Sequence, residues 1–147
     1  MLKLSQRDPR WSKEMLGKSR CSVYQYGCTT TAIAMFASWY GCHKDPGVLA
    51  RSLSYTTGGL LIWSSIGKVF PCFQFKWRFY SFDKSMINVA LASKDDVVLL
   101  NVDRGYHWVA ALYHVPMFGY MCVDPWTGTN RLYRYSDVEG GALLTRK

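Results

Sequence analysis

The chain has no C-x-x-C pair, no internal repeat, no low-complexity tract and no Pro/Ser-rich linker. Without a linker or a shift in composition, residues 1–147 read as a single domain. Its five cysteines, Cys21, Cys28, Cys42, Cys72 and Cys122, are odd in number, so at least one thiol is expected to be free. Their spacing signals neither a disulfide framework nor a zinc site. Cys42 and His43 are adjacent but have no second cluster to complete a metal site, so no metal is assigned and a role at a helix end is expected of them. No apolar run approaches the length that spans a bilayer, and the opening MLKLSQRDPRW puts charges where a signal peptide needs its apolar segment. The expectation is a soluble chain without a signal peptide, made in the cytoplasm, which reaches the cell envelope, if at all, by another route. Acidic residues are scarce as well: 10 Asp and Glu stand against 18 Lys and Arg, and the net charge of +8 favours encounter with anionic partners. Nucleic acid, anionic envelope polymers and acidic proteins all satisfy that charge.

What is present is apolar and aromatic. At 49% hydrophobic and 16% aromatic residues, a chain of 147 residues folds around a core and is not disordered. Ala32, Met35, Phe36 and Trp39 follow the i, i+3, i+4, i+7 spacing of a buried face, which predicts a central helix over residues 29–40 ended by Gly41. Asp45 followed by Pro46 is an N-cap with proline at the first helical position and opens a short helix through Leu53. A third helix is expected over residues 60–70. The period then changes: Phe73, Phe75, Trp77 and Phe79 alternate with Gln74, Lys76, Arg78 and Tyr80, a strand with one apolar and one polar, basic face. Helical spacing returns over residues 83–93 behind Asp83. Residues 97–102, 107–115, 120–123 and 131–135 read as strands joined by turns rich in Gly, Pro, Asp and Asn. Helices first and an antiparallel sheet afterwards is the α+β layout.

Within this layout Cys28 stands out, because it follows Gly27 and begins the central helix. The unpaired N–H groups and the positive end of the dipole at a helix start favour an anion, which suits a thiolate nucleophile. A cysteine in such a place is more often a small buried hydrophobe, so the assignment depends on partners. A nucleophilic cysteine needs a base and an orienter for that base. Of the three histidines, His43 lies at the far end of the helix, and His114 sits inside a strand where a structural role is the default. His107 opens the same strand after a glycine turn, at an element end where a side chain is free to protrude. His107 and His114 are seven positions apart, so a regular strand turns them to opposite faces. If residues 115–119 form the hairpin turn, antiparallel pairing returns Asp124 beside the start of the His107 strand, where it serves as orienter or merely opens the turn Asp-Pro-Trp-Thr-Gly. A developing oxyanion needs the Cys28 backbone N–H and a side-chain amide, for which Gln6 and Gln25 are both candidates.

The strings QRDPRW near the start, GCTTTAIAMFASWYG on a helix, HWVAALY on a strand and VDPWTG at the end of the next occur in that order. Together they resemble the papain-like cysteine peptidases of the bacteriocin-processing type, peptidase family C-thirty-nine and its stand-alone relatives, over nearly the whole chain. The resemblance implies a papain-like fold, with the nucleophile helix packed against an antiparallel sheet. It implies Cys28 as nucleophile, His107 as base, Asp124 as orienter and Gln6 as oxyanion donor, with no cofactor. Thr29 departs from the pattern, standing where many members carry glycine. The implied function is hydrolysis of an amide bond in a peptide or a peptide-bearing polymer, such as bacterial cell-wall peptide. Gly140-Gly141-Ala142 resembles a double-glycine cleavage site, although two glycines near a terminus are more often a flexible turn. Two rivals belong to other classes. One is a catalytically silent peptide-binding domain of the same fold. The other is a nucleic-acid binder using Lys76, Arg78 and Tyr80 as a basic, aromatic strand face, which ranks last because any half-exposed strand of a basic protein alternates in this way.

Overall fold

The computed structural model describes residues 1–147. Its centre is a six-stranded antiparallel sheet of order β1-β6-β2-β3-β4-β5, formed by β1 (Phe73–Phe79), β2 (Asp96–Val102), β3 (His107–Val115), β4 (Gly119–Asp124), β5 (Thr129–Arg134) and β6 (Gly140–Arg146). The helices are α1 (Val23–Tyr26), α2 (Cys28–Tyr40), α3 (Pro46–Ser52), α4 (Ile66–Val69) and α5 (Lys84–Ala92). The molecule is therefore α+β, with α2 on one face of the sheet and α5 on the other. No helix is long and apolar enough to cross a membrane.

Each face of the sheet carries its own core. On the α2 side, Ala32, Ile33, Met35 and Phe36 pack with Phe73, Leu99, Ala110 and Val123; on the α5 side, Ile87 packs with Val98, Leu100, Val109 and Tyr120. α2 is enclosed almost all round because its small residues let the sheet, α3 and the N-terminal segment approach it together. Trp39 is the exception to the expected buried face: it is exposed, with the Arg146 guanidinium 5.6 Å from its ring. α3 begins as expected, with the Asp45 carboxylate accepting from the Val48 N–H at 2.9 Å.

Four expectations need correction. The helix over residues 60–70 shrinks to a single 3-10 turn, Trp63–Ser65, and the one turn of α4, because Leu61 bridges back to Tyr55 across the Gly58-Gly59 turn. The apolar face of β1 is broken. Phe73 and Phe75 pack on the α2 side and Phe79 on the α5 side, since a bulge at Lys76 shifts the register from Phe75↔Leu144 to Trp77↔Leu143. Gly140 and Gly141 are not a flexible turn; they are buried in β6 between β1 and β2. Finally, Cys42 and Cys72 form a disulfide, their Cα atoms 6.5 Å apart and 30 residues distant in sequence. The spacing concealed this pair because the fold, not a local motif, brings the end of α2 to the start of β1.

Candidate functional site

Cys28 is the first residue of α2, one step beyond Gly27, where α1 and α2 abut. A side chain at position 27 would stand 2.8 Å from the Val23 Cα, so glycine is required for this close approach. The first-turn N–H groups of α2 have no intrahelical acceptors, and Cys28 stands at that end of the helix. Cys28 lines a cleft of about 750 Å³ that runs between the helical layer and one end of the sheet.

His107 reaches the same cleft from the first position of β3. The preceding turn, Asp103–Gly105, is left-handed at all three residues, with φ of 52°, 58° and 93°. Asn101 clamps it, its Nδ2 donating to the carbonyls of Gly105 at 3.0 Å and His107 at 3.1 Å. The β3–β4 hairpin has the register Val115↔Gly119 and Ala110↔Val123, which brings Asp124 beside the start of β3. The Asp124 Oδ1 lies 2.7 Å from the His107 Nε2 and also accepts the Trp126 N–H at 2.9 Å. With Nε2 engaged, Nδ1 is the nitrogen left to meet the Cys28 thiol.

Charges in this group reinforce one another. Burial alone would push the His107 imidazole down, but the hydrogen bond to Asp124, with the nearby Cys28 thiol and the Asp124 charge, outweighs it and holds it up at about 9. Burial would push the Asp124 carboxyl up; hydrogen bonds from His107 and the Trp126 N–H, with the nearby charges of His107 and Arg131, hold it below its ordinary value. The Arg131 guanidinium lies 3.7 Å from the Asp124 Oδ2.

Gln6 and Gln25 both line the cleft. Gln6 is buried and fixed: its N–H donates to the Pro125 carbonyl at 2.7 Å, and its Nε2 donates to the Tyr24 carbonyl at 2.9 Å and reaches Val23 O at 3.5 Å. Gln25 is exposed on α1. Thr29 also lines the cleft.

His114 lies apart, its Nε2 2.6 Å from the Tyr135 hydroxyl and its ring 5.4 Å from Tyr120 on the α5 side. Alternation does not separate it from His107, because β3 bulges between Ala111 and Tyr113. Distance does: seven residues of strand extend about 23 Å. His43 is exposed beyond the end of α2. Of the free thiols, Cys122 is buried, which pushes its pKa up, and Cys21 donates to the Gly58 carbonyl at 3.3 Å.

The basic strand face is not formed. Lys76 pairs with Asp96 at 2.8 Å beside α5, whereas Arg78 and Tyr80 line the cleft. Sequence reasoning missed Asn101, Arg131 and the cleft position of Arg78. Asn101 had a signal: it is the lone polar residue inside the apolar run VVLLNV. Arg78 had none, because the bulge decides where it points. No protein-family model matches the chain, and no curated protein matches it.

Proposed function

We propose that this chain is a cysteine peptidase of papain-like fold, similar to the bacteriocin-processing type, which hydrolyses an amide bond in a peptide or peptide-bearing polymer through a thioester. The observation that carries the reading is the His107 Nε2 to Asp124 Oδ1 hydrogen bond of 2.7 Å, in one cleft with a cysteine at the start of a buried helix. That arrangement leaves Nδ1 to take the thiol proton. The Cys28 Sγ then attacks the carbonyl carbon, and the oxyanion accepts hydrogen bonds from the Cys28 N–H and from the Gln6 Nε2, whose one N–H stays on the Tyr24 carbonyl while the other leaves the long 3.5 Å contact with the Val23 carbonyl. Collapse breaks the C–N bond, and the imidazolium gives its proton to the departing nitrogen, leaving a thioester and a free amine. Water, deprotonated by His107, attacks the thioester; its C–S bond breaks, the carboxylic acid leaves and the thiol recovers its proton. The net charge of +8 supports a substrate carried on an anionic surface such as cell-wall peptide.

Brief iodoacetamide treatment should alkylate Cys28 before Cys21 and Cys122, and purified cell walls or peptides should release new amino groups with wild type but not with Cys28→Ala. First alkylation of Cys21 would remove Cys28 as nucleophile. Peptide binding without Cys28-dependent amine release would make the chain a silent binding domain, and salt-sensitive retardation of nucleic acid alone would favour the remaining rival.

A further inference from the structure

Arg78 carries a charge that no carboxylate of the fold pairs with. Its Cζ lies 4.1 Å from the centre of the Tyr80 ring and 4.8 Å from that of Trp108, so the guanidinium is held between two aromatic side chains. Nη1 donates to the carbonyls of Phe79 and Gly141, the latter at 3.1 Å. These carbonyls are its only acceptors; Nε and Nη2 are unpartnered and no carboxylate pairs with the group. The contrast with neighbouring cations is direct, since Lys76 has Asp96, Arg131 has Asp124 and Arg146 has Asp95. Arg78 nevertheless lines the cleft and is partly withdrawn from water, which lowers its pKa. A guanidinium fixed by one nitrogen and two rings, with its Nε and Nη2 edge free, is preorganised for side-on, bidentate contact with a carboxylate.

Its position in the cleft sets the spacing. β1 is separated from β3 by β6 and β2, three strand intervals or about 14 Å, and the Arg78 side chain spans part of that gap toward Trp108, the residue after His107. The remainder corresponds to about two or three residues of extended peptide. We propose that Arg78 is the specificity-determining residue of this cleft and binds a carboxylate carried by the substrate peptide two or three residues from the scissile amide bond. The carboxylate belongs either to an acidic side chain or to a free chain end. The inference deepens the peptidase reading and rests on it for the reaction, but not for the binding.

The test uses blocked octapeptides with a single Glu or Gln at each position in turn, and a second set with a free or an amidated C-terminus. Wild type is followed by amine release and Cys28→Ala by quenching of tryptophan fluorescence, since Trp108 touches the guanidinium. The expected result is a preference of about 10- to 100-fold for the carboxylate at one position only, expressed mainly in KM and in the dissociation constant. Arg78→Gln should reduce that preference, taken as the ratio of Glu to Gln peptide for each variant, to about threefold or less, and Arg78→Lys should retain part of it. General attraction by the net charge would instead favour Glu at every position and fade with salt. Equal behaviour of the paired peptides in both arms, or a preference at every position alike, overturns the carboxylate site, even if Arg78→Gln fails to fold. Selective binding to Cys28→Ala with no amine release by wild type keeps the site and removes the peptidase reading.

Discussion

His107 is pulled in opposite directions by its surroundings, and the balance has consequences for both rate and stability. Its partners raise it to about 9 against burial, so the imidazolium persists well above neutrality. Hydrolysis by wild type should therefore fall on the alkaline side with an apparent pKa near 9, read from kcat/KM as a function of pH. Asp124→Asn removes the main partner that raises it; the alkaline limb should move to lower pH, and the rate at the optimum should drop by about 10²- to 10⁴-fold. An unmoved limb in that variant would show that Asp124 does not act on His107. Folding favours the protonated imidazole, so its contribution to stability is complete below its unfolded value of 6.5 and is lost as pH rises through about 9. Asp124 has the opposite sign: its contribution is present above its unfolded value of 3.8 and is lost as pH falls through its lower folded value. The melting temperature of wild type should accordingly decline between pH 6.5 and 9, and that of His107→Gln should decline less. At this scale the sequence was informative where one residue's position decides the matter, as for a cysteine at a helix start or a histidine at a strand start. It was uninformative about how Gln6 and Gln25 sit in the cleft, because the burial of one and the exposure of the other are set only in three dimensions.

Among the elements, β6 shows why local pattern fails. GGALLTR opens with the residues least inclined to form a strand, and they pair between β1 and β2 at positions where the neighbouring strands leave no room for a Cβ. The Phe79 ring lies against Gly141, and an added Cβ would stand 2.5 Å from the Leu99 carbonyl. Gly141→Val should therefore cost about 1–3 kcal/mol or more, measured as a fall in the urea midpoint with an unchanged slope. A midpoint within error of wild type would mean that the sheet yields there. The same packing keeps the glycine pair out of the cleft, so cleavage at this double glycine requires β6 to leave the sheet. The bulge in β1 is equally invisible to alternation, yet it sends Lys76 to one side and Arg78 to the other. α2, α5 and the β3–β4 hairpin were legible because periodicity and turn chemistry agreed with the tertiary fold in each.

The molecule as a whole is two layers of helix on one sheet, and its cleft lies where the helical layer meets the sheet's end. The relation between the layers is held by packing of α2 on β3 and by one covalent tie, Cys42 to Cys72, from the end of α2 to the start of β1. The chain closed by that tie contains α3 and the Gly58-Gly59-Leu60 segment that forms one lip of the cleft. Closing a loop of 30 residues removes conformational freedom chiefly from the unfolded chain, a contribution of about 3–4 kcal/mol in the chain-entropy account. The Cys42→Ser, Cys72→Ser double variant should therefore unfold at a distinctly lower urea concentration than the oxidised wild type, and reduction of wild type should bring it to the same midpoint. Cys28 lies at the opposite end of α2 from the tie, so in native buffer its alkylation rate should stay within about twofold of wild type. Equal midpoints for oxidised and reduced protein would show that packing alone sets the layers. A large loss of Cys28 reactivity in the folded double variant would show instead that the tie holds the cleft itself, through the lip that its loop carries.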